Sequence, residues 1–117
     1  EVARALDVPA MFAERQDGVM TLRRGFTVEP GQKVLITEDV FTTGGSAQEV
    51  VELVQSMGGN VIAAGSIIDR TAGNTVKLKV PFQSLIKFEF KTYDPADCPM
   101  CKQGIPAVKP GSRPDKK

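Results

Sequence analysis

The chain has 117 residues, a mass of 12.6 kDa and a net charge of +1, with 41% hydrophobic and 25% charged residues. This size fits one small globular domain, and the apolar content is too high for an intrinsically disordered chain. Residues 109–117 carry four basic residues and one acidic residue, so the rest of the chain has a net charge of −2. The sequence has neither a basic stripe for nucleic acid nor an apolar run long enough to cross a membrane, so we expect a small ligand.

Residues 1–6 read as the last turns of a helix, because their apolar side chains recur at helical spacing and Val8-Pro9 then stops the pattern. The chain starts with neither an initiator methionine nor a signal peptide. We therefore expect that an N-terminal part is missing and that an apolar sheet face needs a partner to cover it.

A hairpin and a strand–helix–strand unit come next. Asp17-Gly18 predicts a tight turn between strands near residues 10–15 and 19–23. The apolar runs at residues 33–37 and 61–68 predict parallel strands that are buried on both faces and joined by a helix.

The helix between these strands has clear start and stop signals. Ser46-Ala47-Gln48-Glu49 is a capping box, and Gly58-Gly59 ends the helix. Between them runs an apolar stripe, formed by Ala47, Val50, Val51, Val54 and Met57. This spacing predicts a helix that packs against the sheet.

A further strand is predicted near residues 85–90, where apolar and charged residues alternate. Three aromatic residues in this region are expected in the core, namely Phe82, Phe88 and Phe90. We expect residues 1–92 to form the core domain and residues 93–117 to form a tail of ordered coil that frays after about Gly111.

Cys98 and Cys101 are the only cysteines, which favours a reducing compartment over a secreted, disulfide-stapled domain. They can supply two zinc ligands, but a four-coordinate site would need the same pair from a second chain across a two-fold axis. A redox-active C-x-x-C pair is expected at the start of a helix, so a coil tail does not favour that role. The remaining interpretation is a tail loop that packs on the domain through Met100, Ile105 and Val108.

The segment VLITEDVFTTGGS, residues 34–46, places chemistry at the end of a strand. Two acids, Glu38 and Asp39, precede a loop of hydroxyls and glycines that opens a helix, which suits a phosphate. Carboxylates accept hydrogen bonds from sugar hydroxyls, so the pattern indicates a ribose 5-phosphate. Alternatively, the acids only end the strand and the loop only caps the helix. No Walker A or dinucleotide glycine motif is present.

VLITEDVFTTGGS resembles the fingerprint of the type I phosphoribosyltransferases, which has four apolar residues, two acids and a Thr/Gly phosphate loop. Within them, the chain most resembles the orotate phosphoribosyltransferases, on this fingerprint, on SIIDR at residues 66–70 and on the tail YDPADCPMCKQGIPAVKPGSR. The resemblance implies an α/β, Rossmann-like parallel sheet with flanking helices, here N-terminally truncated. It also implies a cytoplasmic homodimer that transfers the phosphoribosyl group from phosphoribosyl pyrophosphate to orotate, with Mg²⁺ carried by the pyrophosphate.

The resemblance also implies roles for individual residues. Glu38 and Asp39 would hold the ribose hydroxyls and are the expected catalytic residues, while Thr42 and Arg70 would contact orotate. The residues that would bind phosphoribosyl pyrophosphate after the acids are Val40, Phe41, Thr42, Thr43, Gly44, Gly45 and Ser46. For Arg70 the alternative is a surface arginine paired with Asp69, and for Phe41 a place beside the substrate is open.

The family's mobile loop carries lysines and a histidine over the pyrophosphate, but this chain has no histidine. The available cations are Arg15, which we expect to bind the pyrophosphate, and then Arg23 and Arg24. The alternative is that these arginines are surface charges of the hairpin.

Two other functions remain open. A purine or uracil phosphoribosyltransferase would share the loop, although a neutral base does not call for a carboxylate-binding arginine such as Arg70. The chain could also be a module that binds a phosphoribosyl group without catalysis, since it lacks the lysines and histidine of the family's mobile loop.

Overall fold

In the computed structural model, residues 1–71 and 78–105 are described. The elements are α1 (Val2–Leu6), β1 (Ala13–Gln16), β2 (Val19–Leu22), β3 (Lys33–Phe41), α2 (Gly45–Ser56), β4 (Asn60–Asp69), β5 (Phe82–Lys87) and α3 (Pro99–Lys102). β1 and β2 form an antiparallel hairpin, and β3, β4 and β5 form a parallel sheet in that order. The predicted α/β fold with a parallel sheet is confirmed.

The hairpin turn is the one that its sequence predicts. Asp17 and Gly18 both have positive φ angles, of 50° and 86°. Two such residues form a type I′ turn, whose twist matches that of paired strands. The strands are shorter than predicted and begin only at Ala13.

α2 covers one face of the parallel sheet. Its buried residues are Ala47, Val51 and Val54, as the apolar stripe predicts. The buried core also contains Val28 from the preceding loop and three residues of the sheet, Ile36, Val61 and Ala64. Gly58, with φ 84°, ends the helix as predicted.

The predicted capping box is wrong. α2 begins at Gly45, with Gly44 as its N-cap in the left-handed region at φ 74°, and no side chain caps it. Gly44 adopts this conformation without a steric penalty, so the helix starts earlier than Ser46 would allow as a cap. Glu49, the expected partner in the box, instead forms an ion pair with Arg15.

The prediction that the strands are buried on both faces is also wrong for the described residues. We call the side towards α2 the covered face; it carries Ile36, Val61 and Ala64. The opposite side, which we call the open face, carries Leu35, Ile62, Ile67 and Leu85, all of them exposed. Within the described residues, α1 and the segment after it border the open face at a cavity of 460 Å³, which is lined by residues such as Leu6, Leu35 and Ile62.

The end of the chain differs from its prediction in three respects. β5 ends at Lys87, and Phe88 and Phe90 are half-exposed rather than buried, whereas Phe82 does pack on the core. The short helix α3 replaces part of the expected coil. Met100 and Ile105 are exposed, so packing of the tail through them is wrong. Val108 and the predicted fraying after Gly111 lie outside the described residues.

Within the part of the chain that the structure describes, no helix is long and apolar enough to cross a membrane.

Candidate active site

A cavity of 130 Å³ lies at the carboxyl end of β3, where the strand passes into α2. In open α/β sheets this edge is where ligands bind. The lining combines one acid with the entire Thr/Gly loop and the first turn of the helix: Glu38, Val40, Phe41, Thr42, Thr43, Gly44, Gly45, Ser46 and Ala47. The structure therefore gathers most of the predicted phosphoribosyl site around one space.

The loop, residues 42–46, offers backbone donors to that space. The first N–H groups of a helix have no partner within the helix, and the helix dipole places partial positive charge beside them. In the first turn of α2, the Gly45 N–H lies 3.5 Å from Thr43 Oγ1, and the Gln48 N–H donates to the Gly44 carbonyl at 2.9 Å. The hydroxyls of Thr42 and Ser46 lie on exposed residues of the same loop. This arrangement suits a phosphate.

Glu38 and Asp39 point to opposite faces of β3, because successive side chains of a strand alternate. Glu38 is half-buried and lines the cavity. Burial, and secondarily the charge of Asp39, raise the pKa of the Glu38 carboxyl. Asp39 is exposed and is not part of the lining; its Oδ1 accepts the Val40 N–H at 2.7 Å. The two acids are thus not equivalent, although they are adjacent in the sequence.

The ring of Phe41 is buried. The side chain is 2% exposed and stacks on Phe82 with ring centroids 4.3 Å apart. A place of this ring beside the substrate stays a prediction. The Phe41 carbonyl accepts the Arg70 N–H at 2.7 Å, which joins the ends of β3 and β4 next to the loop.

Arg70 does not pair with Asp69, so that alternative is wrong. The Asp69 Oδ1 accepts the Thr71 N–H at 2.8 Å, and hydrogen bonds from Thr71 lower the pKa of Asp69. The Arg70 guanidinium lies over the Phe90 ring, 4.6 Å from its centroid. The ring holds the guanidinium of this exposed residue by a cation–π contact.

The three arginines of the hairpin region have partners of their own. Arg15 donates to Glu49 Oε1 and to the Gly18 carbonyl, both at 2.7 Å. The Glu49 carboxylate, through its hydrogen bond and charge, raises the pKa of Arg15. The other two arginines make weaker contacts: Arg23 lies 3.4 Å from Glu14, and Arg24 lies over the Phe12 ring.

Sequence reasoning missed two residues that orient the candidate cations, Glu49 beside Arg15 and Phe90 beside Arg70. Each contact joins segments far apart in the chain, 34 residues apart for Arg15 and Glu49. No local pattern marks such a pair. Glu49 was assigned to the capping box because that box is a local pattern.

Among the described residues, no group of three or more His, Cys, Asp or Glu side chains is placed to hold a metal ion. The carboxylates of Glu38 and Asp39 are nevertheless oxygen donors of the type that Mg²⁺ prefers.

A model of the phosphoribosyl transferase domain matches residues 2–95. The chain belongs to the phosphoribosyl transferase domain family. This confirms the resemblance seen in the fingerprint.

Curated relatives refine the comparison. The chain is 61% identical over 112 residues to an orotate phosphoribosyltransferase of Thermotoga maritima, and 58% identical over 113 residues to one of Caldanaerobacter subterraneus. The matches cover 96% and 97% of this chain but 59% of each relative. The chain thus spans under two thirds of the length of these curated relatives.

The solved structures that are similar to this chain include other phosphoribosyltransferases. The crystal structure of adenine phosphoribosyltransferase from Thermoanaerobacter pseudethanolicus has a TM-score of 0.58 at 26% identity, and covers 74% of this chain and 60% of its own. Orotate phosphoribosyltransferase from Mycobacterium tuberculosis, in complex with inorganic phosphate, has a TM-score of 0.50 at 27% identity and covers 74% of this chain and 53% of its own.

Proposed function

We propose that this chain is the phosphoribosyl-binding part of an orotate phosphoribosyltransferase. The reaction transfers the 5-phosphoribosyl group from phosphoribosyl pyrophosphate to a ring nitrogen of orotate and yields orotidine 5-monophosphate and pyrophosphate. The observation that carries the proposal is the single cavity shared by Glu38 and the loop at residues 42–46. Identities of 58–61% to proteins named orotate phosphoribosyltransferase support the choice of base.

The loop binds the 5-phosphate, and the acids bind the ribose. Backbone N–H groups at the start of α2 and the hydroxyls of Thr42, Thr43 and Ser46 donate to the phosphate oxygens. Glu38 accepts hydrogen bonds from the ribose hydroxyls, and Asp39 joins it once a ligand occupies the site. These carboxylates also stabilise the positive charge that develops on the ribose as the bond to pyrophosphate breaks.

The leaving pyrophosphate gains negative charge and needs cations. Arg15 is the first candidate because it lies next to α2, but it must exchange Glu49 for the pyrophosphate. Arg23 and Arg24 are the second candidates. Mg²⁺, when bound with the pyrophosphate, neutralises its oxygens, and the carboxylates of Glu38 and Asp39 fit its preference for oxygen ligands.

Orotate carries a carboxylate, and Arg70 is the residue that we assign to it. Its guanidinium lies over Phe90 at the same edge of the sheet as the loop, to which the hydrogen bond from the Arg70 N–H to Phe41 connects it. A planar guanidinium binds a carboxylate through two parallel hydrogen bonds. Thr42 contacts orotate from the loop.

The test is a calorimetric titration with orotidine 5-monophosphate, uridine monophosphate and adenosine monophosphate. We expect the orotidine nucleotide to bind most tightly, because only its base carries a carboxylate for Arg70. Charge-assisted hydrogen bonds contribute about 1.5–3 kcal/mol, so Arg70→Ala should weaken this binding by about tenfold or more.

The control is Arg4→Ala, which removes an exposed arginine from α1 that pairs only with Glu1 among the described residues. It should bind the orotidine nucleotide as the parent chain does. Equal affinity for all three nucleotides would leave a phosphoribosyl site without selectivity for orotate and would contradict the proposal.

One alternative has an observation in its favour. Adenine phosphoribosyltransferase is among the structures similar to the chain. Tightest binding of adenosine monophosphate, unaffected by Arg70→Ala, would support this reading. Nucleotide binding without turnover by the full-length protein would instead support a non-catalytic binding module.

We further propose a homodimer in the cytoplasm, as the resemblance implies, with a core at residues 1–92 and a tail at residues 93–117. The size of the particle, measured by sedimentation with and without nucleotide, tests the dimer. Limited proteolysis tests the boundary, since cleavage should begin after residue 92 and leave the core intact.

A further inference from the structure

The turn at Cys98-Pro99-Met100-Cys101 has no part in the proposed reaction. Cys98 is extended, with φ −67° and ψ 121°, and Pro99 is the first residue of α3, a single turn that holds Cys101. The Lys102 N–H donates to the Cys98 carbonyl at 3.0 Å, and the Ile105 N–H donates to the Met100 carbonyl at 3.1 Å. These bonds close a tight turn that carries both thiols.

Both thiols belong to one short turn, because Cys98 immediately precedes α3 and Cys101 lies within it. A C-x-x-C pair in such a turn can bind one metal ion through both of its sulfurs.

The turn lies on the surface. Cys98 is half-buried, Cys101 is exposed, and neither forms a disulfide. The ammonium of Lys102, the residue after Cys101, lies 3.4 Å from the carboxylate of Asp97, the residue before Cys98.

Ligand number decides what the turn can hold. Structural zinc is bound tetrahedrally by four Cys or His ligands, in which pairs spaced C-x-x-C are frequent. These 117 residues contain two cysteines and no histidine. One copy of the turn therefore supplies half of a site, and a second copy supplies the same half.

We propose that two copies of the Cys98–Cys101 turn bind one Zn²⁺ ion through four thiolates and so link two chains. On binding, each chain forms two Zn–S bonds and releases two thiol protons, so the reaction needs no redox partner and leaves a net negative charge on the site. This site is structural and independent of the proposed transfer reaction.

The test is an anaerobic titration of the reduced chain with Co²⁺ as the coloured probe, followed by displacement with Zn²⁺. We expect one metal per two chains, a tetrahedral thiolate spectrum, and four sulfur neighbours of zinc by X-ray absorption. Cys98→Ser and Cys101→Ser each remove a direct metal ligand. Loss of a group that only hydrogen-bonds to a ligand lowers metal affinity by about 10–100-fold, so each serine variant should lose more than this.

The matched control is Met100→Ala, which changes an exposed side chain inside the same turn and removes no sulfur ligand proposed for the site. It should keep one metal per two chains. Binding of orotidine 5-monophosphate, measured in each serine variant, should be unchanged and shows that the chain is folded.

Three outcomes would overturn the proposal. One metal per chain would mean that ligands come from elsewhere, and unchanged affinity in the serine variants would exclude the turn. Formation of a disulfide between Cys98 and Cys101 in the presence of zinc under mild oxidation, with no metal retained, would assign the turn to thiol chemistry instead.

Discussion

Both faces of the parallel sheet carry apolar side chains, but these side chains differ in how far they are exposed to solvent. On the covered face, Ile36, Val61 and Ala64 are at most 7% exposed and pack against α2. On the open face, Leu35, Ile62 and Ile67 are 40%, 47% and 53% exposed. Apolar character alone therefore does not decide burial in this chain, since burial also requires an element that packs on the residue.

This difference also separates the two adjacent acids. Glu38 shares the covered side of β3 and lines the cavity, and its pKa is raised by burial. Asp39 shares the open side and is exposed. Substitutions on the two faces should thus differ in their effect on stability and on the pH dependence of stability.

The largest effect is expected at Val51, which is fully buried between α2 and the sheet. Val51→Ala leaves a cavity and removes two methyl groups from the core, so the free energy of unfolding should fall by about 2–3 kcal/mol. Urea denaturation measures this loss, provided that the slope of the unfolding free energy against urea concentration is the same in both proteins. A loss below about 1 kcal/mol would mean that the covered face is not the main core.

Gly59 is expected to come next. A Cβ at this position would lie 2.5 Å from Val28 Cγ1 and 2.7 Å from Val54 Cγ1, both on stiff side chains. Gly59→Ala should therefore destabilise the chain by about 1–3 kcal/mol through overpacking. The control is Gly65→Ala, where the nearest atom is the Gln83 carbonyl oxygen at 3.6 Å. Similar melting temperatures of the two variants would contradict this packing.

Glu38→Gln should have opposite effects on stability and on binding. The raised pKa means that the folded state holds its proton more tightly than the unfolded state, so this carboxyl costs stability as pH rises above the usual glutamate range. The variant should be slightly more stable than the parent chain at pH 8, with a smaller difference at pH 4. Its affinity for orotidine 5-monophosphate should fall by about tenfold or more, since a charged acceptor is lost.

The control for this prediction is Asp39→Asn, on the exposed side of the same strand. Urea midpoints at pH 4 and pH 8 should give a smaller gain in stability at the higher pH for this variant, because it removes only the charge repulsion on Glu38 and leaves the larger effect of burial. Equal pH dependence in both variants would show that burial of Glu38 is not the cause.

The smallest effect is expected on the open face. Leu85 is 82% exposed, so Leu85→Ser should change the free energy of unfolding by no more than about 0.5 kcal/mol. The same denaturation experiment measures it. A loss as large as that of Val51→Ala would mean that the open face is covered in solution.

Local signals predicted much of the fold. The Asp17-Gly18 turn, the apolar stripe of α2 and its end at Gly58 all depend on residues close in sequence, and all three are confirmed. The start of α2 was predicted wrongly because Gly44 competes with Ser46 as the N-cap. Gly44 can adopt the left-handed conformation found at this N-cap. The capping-box pattern considers only Ser46 and Glu49, so it does not show whether Gly44 or Ser46 becomes the N-cap.

The candidate site divides in the same way. Glu38 and the loop at residues 42–46 lie close together in the sequence. The fingerprint alone therefore predicted that they belong to one site, and both line the same cavity. The positions of Arg15 and Arg70 could not be predicted, because Glu49 and Phe90 orient them from other elements. The family, the α/β class and the association of Glu38 with the Thr/Gly loop could be predicted from the sequence by itself, since each depends on short-range patterns of polarity, glycine and hydroxyl groups. Which sheet face is covered, which acid enters the cavity and which partner each arginine takes were decided only by the tertiary structure, because burial and ion pairing depend on segments that meet in space.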